Sequence, residues 1–228
     1  MRQCAALARE PEGAAELRSL TKLMNVDTLQ AVIPGCRICR DAPRGAPLPH
    51  EPRPVARLSA TARLCVAGQA PGTKVHASGV PFNDASGKRL REWMGVDDET
   101  FYDRTRIAIV PMGFCFPGQD AHGADLPPRR ECAPTWREQV FVAMPQIELV
   151  LAIGAYAQTW HLGERRQRTM TDTVRDWRRH LGANTAPRIL PLPHPSWRNT
   201  GWLKRNPWFE ADVVPELRRE VARLVGAC

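Results

Sequence analysis

Four short runs of apolar residues punctuate the chain: Leu64–Ala67, Ile107–Val110, Leu149–Ile153 and Ile189–Leu192. Runs of this length without polar alternation predict strands buried on both faces. Between them the apolar positions change to helical spacing. That pattern predicts helices over Gly87–Met94, Ala133–Met144, Tyr156–His161 and Thr171–Leu181, and a last one over Val214–Val225. Strands alternating with helices predict a parallel sheet covered on both sides. The fold class is therefore α/β: a single three-layer α/β/α sandwich with a central, mostly parallel four-stranded sheet.

Upstream of the first strand, Leu17, Leu20, Leu23, Met24, Leu29 and Val32 recur at helical spacing from about Gly13 to Ile33, and Asn25–Asp27 is a place for that helix to break. The stretch Asp41–Pro54, DAPRGAPLPHEPRP, follows. Proline fixes φ and removes a donor, so this segment is expected to be an extended surface connection. The organisation expected is an N-terminal helical segment with the Pro-rich connection over residues 1–54, packed on a main domain over 55–228.

Composition narrows the class. Of 228 residues, 43% are hydrophobic and 25% charged, with mean hydropathy −0.37, which suits one globular domain. No apolar run approaches the ~18 residues of a membrane span, and no secretory signal is visible. A cytoplasmic monomer without membrane contact is the expectation. The net charge is +8 and the pI about 9.5, and 28 of the 32 cations are Arg. A GC-rich genome explains the Arg preference but not the excess. A basic surface makes nucleic acid the first candidate partner.

In open parallel sheets, sites form outside the C-terminal strand ends. After the first run comes Gly68-Gln69-Ala70-Pro71-Gly72, then Gly79-Val80-Pro81-Phe82-Asn83-Asp84-Ala85-Ser86-Gly87. A Gly/Pro-rich turn lets backbone N–H groups face a ligand. It is neither a phosphate loop nor a dinucleotide fingerprint. Ser86 is expected to cap the helix beginning at Gly87, and Asp84 by itself suits a helix-start acid. After the last run comes Pro193-His194-Pro195-Ser196-Trp197-Arg198-Asn199, followed by Trp202, Lys204, Arg205 and Trp208. Flanking prolines hold the histidine backbone rigidly. Aromatics interleaved with cations supply base stacking and phosphate contacts.

Cys36-Arg-Ile-Cys39 is a C-x-x-C pair, and Cys115 and Cys132 form a second pair 17 residues apart. Four thiolates suit an iron–sulphur cluster or a structural zinc; the alternative is four thiols packed as small hydrophobes. Cys65, inside the first strand, is read as core. Trp93, Trp136, Trp160 and Trp177 fall within helical patterns and are expected to pack in the core or at an interface. His161 and His180 sit near helix ends, where a cation is favoured. The long loop Phe116–Arg130 hints at function.

Together the two loops resemble the uracil-DNA glycosylase superfamily. The first looks like that superfamily's water-activating motif, and Pro193–Ser196 looks like its H-P-S motif. The resemblance runs from about Cys36 to Phe209. It implies a Rossmann-like domain that flips uracil out of DNA and hydrolyses the N-glycosidic bond, leaving an abasic site for base excision repair. His194 is then the group that stabilises the departing uracil anion. Asp84 orients or deprotonates water, with His76 the second candidate, because Gln69 stands where one branch carries Glu. Phe82 stacks on the flipped base, and Asn83 or Gln69 reads its edge. Ala70 belongs to the substrate-binding turn and Ser196 holds a phosphate. Trp197 or Arg198, followed by Asn199, fills the gap the base leaves. Near Pro111, where other branches read uracil with Asn, proline cannot. The 2+2 cysteines resemble those of the cluster-bearing branch, which puts a structural [4Fe–4S] cluster on Cys36, Cys39, Cys115 and Cys132 ahead of zinc. The alternative function is a non-catalytic binder of damaged DNA; a small-molecule hydrolase is the third.

Overall fold

The structure, a computed structural model, describes residues 25–226. Four strands form one sheet: β1 (Leu64–Ala67), β2 (Ile107–Ile109), β3 (Leu149–Ile153) and β4 (Arg188–Leu192). Their order is β2-β1-β3-β4 and every pairing is parallel, with Val66 opposite Ile109 and Leu151 and Leu151 opposite Leu190. The helices, in chain order, are α1 (Val26–Val32), α2 (Ile38–Asp41), α3 (Thr73–Ser78), α4 (Ala85–Met94), α5 (Asp98–Tyr102), α6 (Cys132–Ala143), α7 (Gly154–Leu162), α8 (Met170–Arg175), α9 (Trp177–Leu181), α10 (Thr200–Arg205) and α11 (Val214–Val225). None of them is long and apolar enough to cross a membrane.

Residues alternate across a strand, so each strand serves two cores. Leu64, Val66, Ile107, Ile109, Leu149, Leu151, Ile153, Leu190 and Leu192 face one side, against α4, α5, α8, α9 and α11. Cys65, Ala67, Ala108, Val110, Val150, Ala152 and Ile189 face the other, against α1, α6 and α7. The second set is smaller in volume. That space admits Trp136 and Arg137 of α6, and Arg137 has no exposed surface at all.

Arg137 sets the end of β2. Its Nη1 donates to the carbonyls of Val110 (3.1 Å) and Pro111 (2.9 Å), just past the end of β2. Its Nη2 donates to His161 Nε2. The guanidinium lies between the rings of Phe141 and Trp160. No carboxylate is within ion-pair distance among the described residues. Burial brings Arg137 down to about 10 and, with the charge of Arg137 second, His161 down to about 3. His161 is therefore a neutral acceptor, not the helix-end cation the sequence suggested. His180 is likewise buried, which lowers it. The outer edge of β2 is covered by Arg57, whose backbone exchanges two 2.8 Å hydrogen bonds with Ile109.

Two expectations change locally. The helix expected over Thr171–Leu181 is two, α8 and α9, parted at Asp176. Trp160 is 43% exposed, whereas Trp93, Trp136 and Trp177 are buried. Asn25, at the expected break, caps the start of α1: its Oδ1 accepts from Thr28 N at 2.8 Å. The upstream helical segment, residues 13–24, lies outside the described residues, as do Cys4 and Cys228. The described part of the 1–54 segment contributes Val26, Leu29 and Ile33 to the second core.

Candidate active site

The loops after β1 and β4, with part of the loop after β2, enclose an open cleft of ≈ 560 Å³ at the C-terminal edge of the sheet. Gly72 begins α3. Phe82 follows, and its φ of +55° is the one positive value among described non-glycine residues. Left-handed backbone at a bulky residue is strained and persists only where its surroundings over-determine it. Here they do. The Phe82 carbonyl accepts from Arg91 Nη1 (3.1 Å) and from Tyr102 Oη (3.2 Å). Gly87 approaches so closely that a Cβ there would lie 1.7 Å from that carbonyl oxygen. The ring meets Phe101 edge-on at 6.0 Å and lines the cleft.

Asp84, not Ser86, caps α4: its Oδ1 accepts from Gly87 N at 2.9 Å. The reason is register. The helix begins at Ala85, so Ser86 is already inside its first turn. Asp84 still lines the cleft.

His194 is fixed from three directions. Ser196 N–H donates to its Nδ1 (3.2 Å), Asn199 Nδ2 donates to its carbonyl (2.7 Å), and Arg89 Nη1 ties the Ser196 carbonyl to α4 (3.1 Å). A ring nitrogen that accepts an N–H cannot carry a proton, so the proton of the neutral ring sits on Nε2. Burial lowers the pKa of His194, opposed by the charges of Asp84 and Asp125. The imidazole is then neutral at pH 7 and donates through Nε2. Ser196 Oγ accepts from Arg198 N at 3.2 Å, and Trp197 stands 70% exposed with Arg198 over its ring.

Gln69, Ala70, Phe82, Asp84, His194, Ser196, Trp197, Arg198 and Asn199 all line this one cleft. Two candidates do not. Asn83 points away and donates to Ser78 Oγ (2.8 Å). His76 packs its ring against His50 (4.3 Å between centroids) and Phe116; burial, then His50 and Arg53, lowers its pKa. Sequence reasoning missed Asp125 and Gln119, which reach the cleft from the long loop after β2. The one available signal was the length of that loop.

The four cysteines meet elsewhere. Cys36, Cys39, Cys115 and Cys132 line a narrow void beneath Pro52, Pro54 and Trp136, and none is in a disulfide. Two of the thiols accept an N–H: Trp136 Nε1 donates to Cys36 Sγ and Phe114 N to Cys132 Sγ, both at 3.3 Å. Burial, the largest cause in each, pushes Cys39 up to about 11 and Cys115 and Cys132 up to about 12. Among the described residues no three His, Cys, Asp or Glu side chains are gathered closely enough to hold one metal ion between them. Cys65 is separate and fully buried in β1.

The sequence model of the Uracil DNA glycosylase superfamily matches residues 56–218. A solution NMR structure of a "putative Uracil DNA glycosylase" from Methanosarcina acetivorans aligns at 15% identity and a TM-score of 0.41, over 72% of this chain and 94% of that one. The family match spans most of the chain, from the edge segment at β2 to α11, and takes in both cleft-lining loops. This chain belongs to the uracil DNA glycosylase superfamily.

Proposed function

We propose that this protein is a monofunctional uracil-DNA glycosylase, which flips uracil out of DNA and hydrolyses its N-glycosidic bond to leave an abasic site. Superfamily membership makes DNA the substrate class and glycosidic hydrolysis the reaction class. The observation that carries the finer reading is His194: a neutral imidazole, its proton held on Nε2, in a cleft it shares with a strained aromatic and a carboxylate. Cleaving the C–N bond puts positive charge on the deoxyribose and negative charge on the leaving base. The His194 Nε2–H donates to that anion and stabilises it. Asp84 stabilises the cationic sugar and the approaching water. The Phe82 ring offers a stacking face whose orientation is fixed before the base arrives. Exposed Trp197, with Arg198 upon it, fills the space the base vacates.

The four cysteines would hold a structural [4Fe–4S] cluster. The N–H groups of Trp136 Nε1 and Phe114 that donate to two of the sulphurs are partners of the kind thiolate centres use. Zinc, the alternative, would need four sulphurs about 2.3 Å from one point. A cluster here ties α2, the loop after β2 and the start of α6 together; excision itself uses none of its chemistry. Protein purified anaerobically is expected to hold about four irons per chain, as a [4Fe–4S] centre requires. A colourless protein with stoichiometric zinc would replace the cluster by zinc.

A non-catalytic binder of damaged DNA is the second reading, favoured by the amide at Gln69 and by the helix cap that occupies Asp84 Oδ1. An oligonucleotide bearing one uracil, single-stranded or opposite G or A, separates the two. Alkali-labile sites made by the wild type and not by Asp84→Asn or His194→Ala support the enzyme. Tight binding without such sites, on uracil, hypoxanthine or xanthine, supports the binder.

A further inference from the structure

This inference rests on the glycosylase reading above. We propose that Asp125 is a second catalytic carboxylate of the cleft, seated by Gln69, and that it takes the proton of the attacking water. The loop that carries it is tightly braced. Asp120 Oδ1 accepts from His122 N and Ala124 N, both at 2.9 Å, and Leu126 N donates to Gly118 O at 2.9 Å. Asp125 Oδ1 accepts from Gln119 Nε2 at 3.1 Å. Its other oxygen abuts the turn after β1: a Cβ built on Gly72 would lie 3.2 Å from Oδ2.

Gln69 fastens the two loops together. Its Nε2 donates to the carbonyl of Leu126, the residue next to Asp125, at 3.2 Å. The Gln69 amide donates here, whereas an ionised glutamate accepts and does not donate. Residue 69 therefore cannot be the base, but its amide brings a carboxylate to the same turn. Asp125 is exposed and lines the cleft. An exposed carboxylate in a cleft that receives a polyanion weakens binding through like-charge repulsion, so its presence there calls for a use. Stabilising positive charge and accepting a proton are the uses that glycosidic hydrolysis offers.

The step balances as follows. The water oxygen forms its bond to C1′ as the C1′–N1 bond breaks. The electron pair leaves on N1, and the base anion is held by His194 Nε2–H. The water proton passes to the Asp125 carboxylate and is returned to solvent on product release. Asp84 keeps the sugar cation.

Single-turnover excision of a uracil oligonucleotide tests this, with DNA affinity and melting temperature measured on the same proteins. Asp125→Asn is expected to slow excision about 10²- to 10⁴-fold, the range for a general base, with affinity equal or tighter because a repulsive charge is gone. Asp125→Glu should recover part of the rate. Gln69→Glu should slow excision at least tenfold, because it loses the Leu126 contact and sets a second negative charge beside Asp125. Wild-type rates in folded Asp125→Asn would overturn the proposal. So would a Gln69→Glu variant faster than wild type, which would make residue 69 the base. If the wild type itself excises nothing, the glycosylase reading fails before Asp125 is reached.

Discussion

The thiol void and the cleft are both gathered from distant parts of the chain, yet they are built in opposite ways. The void is narrow and lined by four thiols, two of which already accept an N–H. The cleft is open, about 560 Å³, and lined by charged or exposed groups such as Asp84, Asp125, Lys74 and Trp197. Burial acts on both, in opposite directions. It pushes the thiols up to about 11–12, so that only a metal centre would hold them as thiolates. It lowers His194, which keeps that ring neutral and ready to donate. One region suits a permanent occupant and the other a transient one. Strain is found in the second, at Phe82.

Removing a thiol should have the largest effect. Cys132→Ala is expected to drop the iron content well below four per chain and to cost several kcal/mol of stability, since binding energy at a structural metal site is folding energy. Metal analysis with thermal melting checks this; an unchanged melting temperature would make the void a site of simple packing. Next comes the cleft: His194→Ala should lower the excision rate about 10²- to 10³-fold, as loss of one donor to a developing anion does, with melting nearly unchanged. A variant that fails to fold instead would blur the contrast between the two regions.

Smaller effects sharpen it. Gly87→Ala forces a methyl into the Phe82 carbonyl and should cost about 1–3 kcal/mol, typical of overpacking, roughly 2–4 °C of melting temperature per kcal/mol at this size. If the strain at Phe82 serves the cleft, excision falls as well. The smallest effect concerns pH. His161 has its pKa depressed from 6.5 to about 3, so the unfolded chain binds its proton first as pH falls. Its stabilising contribution is complete above pH 6.5 and is lost progressively toward pH 3, by up to about 1.4 kcal/mol per pH unit. His161→Gln should flatten the acid arm of the stability curve; an unchanged slope would mean that carboxylates alone set it.

Much of this was legible in the residues. The four apolar runs are the four strands within a residue at their ends, because a strand buried on both faces must be apolar throughout. The two Gly/Pro-rich loops reach one cleft because parallel connections bring successive strand ends to the same edge. Asp84 was legible as an acid at a helix start, but its cap register was not: Ser86 is an equally good capping residue, and only backbone geometry decides where the first turn closes. Asn83 and His76 share the first loop's sequence with Phe82 and Asp84, yet His76 sits in α3 against His50 and Phe116 and Asn83 turns back to Ser78. Arg137 was invisible as a special residue. Nothing in a helical pattern tells a buried arginine from a solvated one when its partners are two carbonyls and a histidine 24 or more residues away.

Sequence alone determined the α/β class, the strands, the two cleft loops and the pairing of cysteines into a set of four. These follow from local chemistry: hydrophobic period, turn residues and thiol spacing, all read over short stretches. Only the tertiary structure decided which side chains share the cleft, that Gln69 fastens the Asp125 loop to the turn after β1, and that His161 is neutral. Each of those depends on distance and burial. These arise when residues far apart in sequence are brought together in a medium that water has left.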